Sequence, residues 1–266
     1  ANGGTVYQTR ELATILSRQK RFAPDEYWYF TDNRQELYFK QVFRVAKKAG
    51  LVPENTELKF FGFGTMNGSD GKPFKTRAGG VMNLTDLMEM VKEITASKLN
   101  MDLVKEEDKD ETSEKISIAA LKYADFLPYR SKDFIFDVTK FADLDGKTGP
   151  YLLYSTVRMN SLLEKSGIEL DDKKIEKILG VEKETVRILL ELPNILKNSI
   201  ESKSLNEIAD YLYRLTSSYN KFYAENHILT CKDDSLKETW LVLTKLVKDT
   251  NLLLLNILAI EVPEKM

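Results

Sequence analysis

The residues that most often build covalent or metal-binding chemistry are scarce in this sequence. Its 266 residues include one cysteine, Cys231, and one histidine, His227. An intrachain disulfide and a cysteine-rich zinc site are therefore excluded, and so is any chemistry within this chain that needs two imidazoles. We interpret His227 as a structural histidine, with a role in binding as the alternative. We interpret Cys231 as a small residue that is buried or partly exposed, because no catalytic partner histidine stands near it at a suitable spacing.

Long apolar runs and a strong charge of either sign are also missing. The apolar run at residues 252–255 ends at Asn256, far short of the roughly 20 residues that a transmembrane helix needs. The 39 basic and 41 acidic side chains give a net charge of −2, which argues against general polyanion binding but allows a local RNA-binding patch. The first residues lack the features of a signal peptide, and together with the unpaired cysteine this favours a cytoplasmic location.

A strand, a helix and a second strand are predicted in the first third of the chain. The aromatic run at residues 27–31 has strand propensity, and residues 35–49 place apolar side chains at helical spacing before Gly50. Residues 57–63 predict a second strand. A segment of this size is typical of one parallel crossover unit, which is too small to be a complete sheet. We therefore expect a partial α/β domain.

A glycine-rich stretch follows the second predicted strand. Residues 64–80, GTMNGSDGKPFKTRAGG, contain five glycines and the cations Lys72, Lys75 and Arg77. Glycines let a backbone approach an anion, and a loop between a strand and a helix is where α/β sheets bind ligands. The stretch lacks the Walker A pattern. Two interpretations stay open from the residues alone, namely a phosphate-binding loop and an ordinary surface loop.

The rest of the chain is predicted to be mostly helical. Asn83 is expected to cap a helix, and the capping-box patterns that begin at Ser204 and Ser235 mark two more helix starts. Pro150 is expected in the first turn of another helix, and Pro193 is expected to kink or divide a leucine-rich one. From residue 115 onward these signals indicate a helical bundle.

One of these helices carries a stripe of candidate binding residues. Tyr151, Tyr154 and Arg158 lie three and four residues apart, which places them on one helix face. Tyrosine rings can stack on unpaired bases, and arginine can reach a phosphate or a base edge. Half-buried core tyrosines explain the same spacing, so both interpretations stay open at this point.

Four stretches resemble the arginyl-tRNA synthetase family, in the family's own order. GTMNGSDGKPFKTRAGGVMNLTDL is similar to the region that takes the place of the KMSKS loop of other class I synthetases. TGPYLLYSTVRMNSLL and LNEIADYLYRLTSSYNKFYAENHIL resemble helices of the anticodon-binding domain, and LLLLNILAIEVPEKM resembles the family's C-terminus. The similarity extends from Thr5 to Met266, whereas the two-histidine HIGH motif and the first half of the nucleotide fold have no counterpart here.

This resemblance implies a fold and a role. The chain would be mainly α with a partial α/β region. A truncated class I Rossmann-type catalytic remnant over residues 1–114, with the KMSKS-like loop at 64–80, would precede an all-α anticodon-binding helical bundle over residues 115–266. The complete enzyme would join arginine to ATP as an adenylate and transfer it to tRNA-Arg. This C-terminal half would be a cytoplasmic monomer without membrane contact, inactive alone because half of the ATP site is absent.

The resemblance also assigns residues to the substrate arginine. Tyr7 and Glu11, in TVYQTREL, match a family segment whose tyrosine and aspartate help to hold arginine. Glu11 is one methylene longer than the family's aspartate, but its carboxylate can still pair with a guanidinium. Gln35 matches a glutamine that lines the same pocket.

ATP binding is assigned to the loop and to one tyrosine. Tyr38, which stands where a histidine is common, is assigned to ATP binding together with Gly64 and Lys75. The loop cations Lys72, Lys75 and Arg77 are assigned the catalytic role of neutralising charge on the phosphates. Mg²⁺ is expected with ATP in the full enzyme, and no metal site is assigned to the side chains of this chain.

Anticodon binding is assigned to the helical bundle, at Tyr151, Tyr154, Arg158, Tyr219 and Met266. Two alternatives stay open beside the synthetase hypothesis. One is a non-catalytic synthetase paralogue that binds tRNA or arginine, which the departures at Glu11 and Tyr38 allow. The other is a helical protein-interaction scaffold, which would expose a contiguous apolar patch instead of aromatic rings beside cations.

Overall fold

The structure is a computed structural model that describes residues 4–68, 70–72, 83–98, 104–170, 180 and 182–266. The helices and strands follow along the chain in the order α1 (Tyr7–Phe22), β1 (Glu26–Asp32), α2 (Glu36–Lys48), β2 (Glu57–Phe63), β3 (Met66–Asn67), α3 (Leu84–Lys98), α4 (Lys109–Phe126), β4 (Phe134–Ile135), α5 (Val138–Phe141), α6 (Gly149–Ser166), α7 (Glu182–Leu189), α8 (Leu192–Ser202), α9 (Asn206–Glu225) and α10 (Asp234–Ile257).

The contacts between residues divide the chain into two compact units. The first consists of Ala1–Met66 with Arg130–Phe134, and the second consists of Asn67–Tyr129 with Ile135–Met266. The predicted domain boundary between residues 114 and 115 falls inside helix α4. That boundary remains a prediction, because the compact units are defined by residue contacts within the structure, whereas the domains of a family are defined by common ancestry.

Strands β1 and β2 of the first unit pair in parallel, as the predicted crossover unit requires. The register places Tyr27 opposite Leu58 and Asp32 opposite Phe63, and helix α2 connects the two strands. Alternate residues of β1 point into the core of this unit. The buried core consists of Ile15, Tyr27, Tyr29, Phe39, Val42, Ala46 and Val52.

The opposite face of the β1–β2 sheet carries exposed aromatic rings. Trp28 and Phe30 are 48% and 50% exposed. The ring of Phe61 on β2 lies 5.5 Å from that of Trp28 and 5.0 Å from that of Phe30, between centroids. Parallel sheets are ordinarily covered on both faces, so an exposed aromatic face is unusual for this arrangement of strands.

Residues 130–134, which we name the return segment, belong to the first unit and hold the end of β2. Its hydrogen bonds run from Gly64 N to Arg130 O (3.0 Å), from Asn33 Nδ2 to Ser131 O (2.7 Å), from Arg130 Nη1 to Gly62 O (2.6 Å) and from Thr65 N to Asp133 Oδ1 (2.7 Å). A Cβ on Gly64 would overlap the backbone of Lys132. The close approach of two backbone segments therefore requires glycine at this position.

Several predicted helix ends in the second unit are confirmed. Asn83 Oδ1 accepts a hydrogen bond from Asp86 N at 2.9 Å, so Asn83 caps α3. Thr148 caps α6 in the same way, with Pro150 in the first turn, where a missing N–H is tolerated. Pro193 lies in the first turn of α8, just after α7 ends at Leu189. The proline therefore divides the leucine-rich stretch, as expected.

The two helix starts predicted from capping-box patterns are confirmed to within one or two residues, but the predicted capping interactions are wrong. Helix α9 begins at Asn206 without a side-chain cap, and Ser204 Oγ donates instead to Asn206 Oδ1 at 2.8 Å. Helix α10 is capped by Asp233, whose Oδ1 accepts from Leu236 N at 3.0 Å, so Ser235 lies inside the helix. Asp233 is itself a strong cap and occurs earlier in the chain, which explains why the helix starts before the predicted serine.

The second unit packs its helices around one large core. At the contact of α4 with α6, a Cβ on Gly149 would overlap the carbonyl group of Ala119, so the two helices approach closely only because residue 149 is glycine. Deeper in the core, Asn251 Nδ2 donates to Thr156 Oγ1 at 3.2 Å and to Thr216 Oγ1 at 3.0 Å. These bonds join α6, α9 and α10 through buried polar groups.

Candidate functional site

Side chains of α1, β1 and α2 form a polar cluster in the first unit, which we name the Tyr38 cluster (Tyr7, Glu11, Tyr29 and Tyr38). The rings of Tyr7 and Tyr38 lie 5.2 Å apart between centroids. Burial raises the pKa of Tyr38, and the negative charge of Glu11 and the neighbouring Tyr7 raise it further. Glu11 is therefore within electrostatic range of the Tyr38 hydroxyl.

Tyr38 Oη in this cluster and Thr31 Oγ1 on the neighbouring strand β1 are among the buried hydroxyls without a hydrogen-bond partner in the described residues. A buried hydroxyl without a partner costs about 1–3 kcal/mol, which a polar ligand would offset. Tyr29 precedes Thr31 by two residues on the same face of β1. Burial raises the pKa of Tyr29, Arg18 lowers it and Glu11 raises it. The cluster thus combines buried hydroxyls with a carboxylate, and these groups suit a cationic ligand such as a guanidinium.

The structure brings together residues that the resemblance assigned to two ligands. Tyr7 and Glu11, assigned to arginine, lie with Tyr38, assigned to ATP. Gln35 is half-buried in the short turn before α2, three residues from Tyr38. Tyr29 was not predicted as a site residue, although alternate positions near the carboxyl end of a predicted parallel strand are where ligand contacts are expected.

The glycine-rich loop is described at its beginning. Gly68 N donates to Lys72 O at 2.8 Å, and Lys72 N donates to Asp70 Oδ1 at 3.0 Å. Lys72 is exposed. Lys75 and Arg77 lie outside the described residues. The glycine at position 64 is explained by the return segment, and its assignment to ATP binding stays a prediction.

Helices α6 and α9 form a tyrosine–arginine surface in the second unit, which we name the Arg158 cluster (Tyr151, Tyr154, Arg158, Asn220 and Tyr223). The Arg158 guanidinium lies 5.7 Å from the ring centroid of Tyr154 and 4.7 Å from that of Tyr223. Arg158 Nη2 donates to Asn220 Oδ1 at 2.6 Å. Tyr154 is 39% exposed, so the cluster is open to solvent. Stacked tyrosine and arginine side chains are groups that can bind an unpaired nucleobase or a phosphate.

The predicted stripe on α6 is therefore present. Its first member, Tyr151, is half-buried, whereas Tyr154 is exposed. Burial raises the pKa of Tyr151, and hydrogen bonds from Asn220 and Ser217 lower it. The partners on α9, Asn220 and Tyr223, were not predicted from the sequence. Their spacing of three residues on one predicted helix is the signal that could have indicated them.

Tyr219 and Met266 are not part of the Arg158 cluster. Tyr219 is 1% exposed, and its hydroxyl lies 3.0 Å from Thr244 Oγ1. Met266 is 6% exposed and belongs to the same hydrophobic core. The structure contradicts the base-stacking role assigned to Tyr219 and places Met266 inside the protein, because the faces of the chain that carry them are covered by other helices.

The described part of the chain offers neither a metal-binding cluster nor a membrane-spanning helix. Within it, no three or more histidine, cysteine, aspartate or glutamate side chains come together in a way that could hold a metal ion. No helix in those ranges combines the length and the apolar character that crossing a bilayer requires. The predicted Mg²⁺ remains an expectation tied to ATP.

Two protein families match most of the chain. The family described as "tRNA synthetases class I (R), catalytic domain" matches residues 1–138, and the "DALR anticodon binding domain" matches residues 152–266. The predicted boundary at residue 114 lies inside the first of these ranges. A catalytic segment followed by an anticodon-binding domain defines the class of the protein as a class I tRNA synthetase.

The chain belongs to the arginyl-tRNA synthetase family of that class, since the catalytic-domain family alone matches more than half of its residues. It is 41% identical over 269 residues to the arginine–tRNA ligase of Alkaliphilus oremlandii and 35% identical over 280 residues to that of Agathobacter rectalis. These alignments cover 100% of this chain but 46% and 47% of the two relatives. The chain therefore spans about half the length of the relatives that it matches.

Solved structures share the fold. The arginyl-tRNA synthetase of Plasmodium falciparum matches with a TM-score of 0.81 at 24% identity, and that of Thermus thermophilus with a TM-score of 0.79 at 18% identity. Both matches cover 100% of this chain and 45% and 50% of the respective structures. They confirm the predicted fold class, a mainly helical chain with a partial α/β region.

Proposed function

We propose that this chain is the C-terminal part of an arginine–tRNA ligase, in which it supplies part of the arginine and ATP site and binds tRNA-Arg. The observation that carries the proposal is the Tyr38 cluster, where a carboxylate and buried hydroxyls without partners meet near the carboxyl end of a parallel strand. Ligands of open parallel sheets bind at that edge. In the cell we place the complete protein in the cytoplasm, as a monomer.

Glu11 is proposed to recognise the substrate arginine. A guanidinium donates paired hydrogen bonds to a carboxylate, which an ammonium group cannot reproduce, so lysine would be rejected by geometry. Tyr7 lies four residues before Glu11 on α1, and its ring contacts that of Tyr38. Gln35 lies on the turn before α2. Both residues are proposed to shape the pocket.

ATP is proposed to bind beside this pocket, with Mg²⁺ on its phosphates. Tyr38 and Gly64 are proposed to contact the nucleotide. Lys72, Lys75 and Arg77 are proposed to neutralise the charge that develops when the arginine carboxylate displaces pyrophosphate at the α-phosphate. Such a reaction depends on positioning and electrostatic stabilisation and needs no side-chain nucleophile.

Two features of the first unit support a site that another segment completes. The β1–β2 sheet has two strands, and its outer face exposes Trp28 and Phe30. A parallel sheet of two strands is too small to form an independent nucleotide fold. We propose that the upstream half of the synthetase adds the remaining strands and covers this face.

The isolated chain is expected to show no arginine-dependent exchange of pyrophosphate with ATP, because part of the ATP site is missing. A chimera that joins the preceding part of the Alkaliphilus oremlandii relative to this chain is expected to show that exchange. Measurement of radiolabelled pyrophosphate incorporated into ATP distinguishes the two proteins. Exchange by the isolated chain would contradict the proposed division of the site.

Glu11→Gln in the chimera provides the test of the arginine pocket. The substitution removes the negative charge that pairs with the substrate guanidinium, and we expect the KM for arginine to rise at least about tenfold, since a charge-assisted bond contributes about 1.5–3 kcal/mol. Glu54→Gln is the matched control, because Glu54 is exposed in the loop before β2. Equal effects of the two substitutions would disprove the role of Glu11.

Tyr154→Ala and Tyr223→Ala are each expected to weaken binding of a tRNA-Arg transcript by about 1–3 kcal/mol, the usual value of one stacked base. Tyr219→Phe is the control and should bind as the wild type does, because the ring of Tyr219 is buried. A filter-binding titration at moderate salt measures all three. If Tyr219→Phe weakened binding and the other two did not, the proposed surface would be the wrong one.

A further inference from the structure

We infer that Asn220 is a positioning residue that holds Arg158 ready for RNA without neutralising its charge. The inference rests on the proposed function, since it concerns the surface proposed to bind tRNA. Asn220 Oδ1 accepts from Arg158 Nη2 at 2.6 Å, and Asn220 Nδ2 donates to Tyr151 Oη and Ser155 Oγ at 2.8 Å each. The whole amide of Asn220 on α9 is thus engaged by three side chains of α6.

The orientation of this amide follows from donor chemistry. A guanidinium can only donate, so Arg158 must face the oxygen of Asn220, and the NH₂ group then faces the two hydroxyls. A free arginine side chain samples many rotamers, and ordering it upon binding has an entropic cost. The bond to Asn220 and the rings of Tyr154 and Tyr223 fix the guanidinium before any ligand arrives.

Two other arginines of the second unit are held differently. Arg187 lies 2.7 Å from the carboxylates of both Glu184 and Glu191, and Arg214 lies 3.0 Å from Glu191. Over the ranges that the structure describes, Arg158 has no carboxylate partner, and its contacts are a neutral amide and two aromatic rings. A carboxylate would offset the positive charge, whereas an amide fixes the cation and leaves its charge available to a phosphate or a base edge.

Asn220→Asp separates the structural role of this residue from its electrostatic role. The carboxylate has the same shape, and its oxygens can accept from Arg158 and from the hydroxyls of Tyr151 and Ser155, because a hydroxyl donates as readily as it accepts. Every hydrogen bond of the site is retained, and the bond to Arg158 gains charge assistance. The fold should therefore be as stable as the wild type or more so, while Arg158 is neutralised.

Binding of a tRNA-Arg transcript to the full chain, titrated over a series of salt concentrations, tests the inference. For Asn220→Asp we expect affinity to fall about tenfold, as for loss of one charge-assisted contact. We expect the slope of log K against log salt to decrease in magnitude by roughly 0.7–0.9, the value for one charge. The midpoint of thermal unfolding should stay constant or rise.

Asn194→Asp is the matched control, because it adds the same charge at an exposed position of α8. It should leave the slope and the unfolding midpoint unchanged. In an Arg158→Gln background, Asn220→Asp should alter affinity no more than Asn194→Asp does, since Asn220 acts through Arg158. A larger effect there would overturn the inference by showing that the new carboxylate repels RNA independently of Arg158.

The remaining outcomes separate this inference from the proposed function. A wild-type chain with no affinity for the transcript overturns the proposed function and the inference with it. Wild-type binding together with unchanged affinity and slope for Asn220→Asp overturns the positioning role alone. Loss of affinity with a parallel drop in the unfolding midpoint also overturns it, because Asn220 would then act only by supporting the fold.

Discussion

Replacing Tyr219 by alanine should lower the free energy of unfolding by about 3–5 kcal/mol, as removal of a large buried aromatic ring does. The ring is 1% exposed and packs against Phe222, with centroids 5.8 Å apart. Alanine would leave a cavity between α9 and α10 that the surrounding helices fill only in part. Urea unfolding followed by circular dichroism measures the change.

Tyr219→Phe is the control for this prediction, because it retains the ring and removes only the hydroxyl. The hydroxyl lies 3.0 Å from Thr244 Oγ1, and the Thr244 hydroxyl keeps a second bond to Trp240 O at 2.8 Å. We therefore expect a loss of about 1 kcal/mol, the usual net value of one hydrogen bond. A loss below that value for Tyr219→Ala would mean that the ring is accessible, as the sequence-based assignment supposed.

Gly149→Ala should cost about 3 kcal/mol or more, the upper part of the range for overpacking. The added methyl would overlap the carbonyl group of Ala119, and this neighbour is backbone that cannot turn aside. Helix α6 would have to move away from α4, which loosens the core contacts of both. Thermal unfolding of the purified chain measures the effect as a drop in Tm.

Gly167→Ala separates steric overlap from backbone strain. Gly167 ends α6 with φ +62°, and a Cβ there meets nothing within 4 Å. Its replacement should cost about 1–2 kcal/mol from left-handed strain alone. Equal costs at positions 149 and 167 would show that α4 and α6 do not depend on close approach at Gly149.

The helices and strands that are predicted well from the sequence are those determined by interactions between residues close together in the chain. Strand β1 is indicated by a run of consecutive aromatic residues, and Asn83 and Pro193 act within a single turn of helix. Helix α1 has no counterpart in the sequence-based prediction, and Ile15 is its one fully buried residue. With a single fully buried position, this helix has no continuous stripe of core residues that would reveal it in the sequence.

The two tyrosines Tyr154 and Tyr219 show why the candidate site could be predicted only in part. Each has the helical spacing expected for an RNA-facing ring, yet Tyr154 is exposed and Tyr219 is buried. Helical periodicity identifies which residues share a face, but the position of the other helices decides whether that face is covered. The resemblance supplied both tyrosines as candidates. The hydrogen bond of Tyr219 with Thr244 belongs to the core, whereas the contact of Tyr154 with Arg158 lies at the surface.

The return segment has a consequence for dividing this protein into pieces. A truncation after residue 114 would keep β1, α2 and β2 but would remove Arg130 and Ser131, which bind Gly62, Gly64 and Asn33. An excised helical half that begins at residue 115 would carry those residues away from their partners. The topology is interleaved, so cloning boundaries drawn at a linear domain border would damage both products.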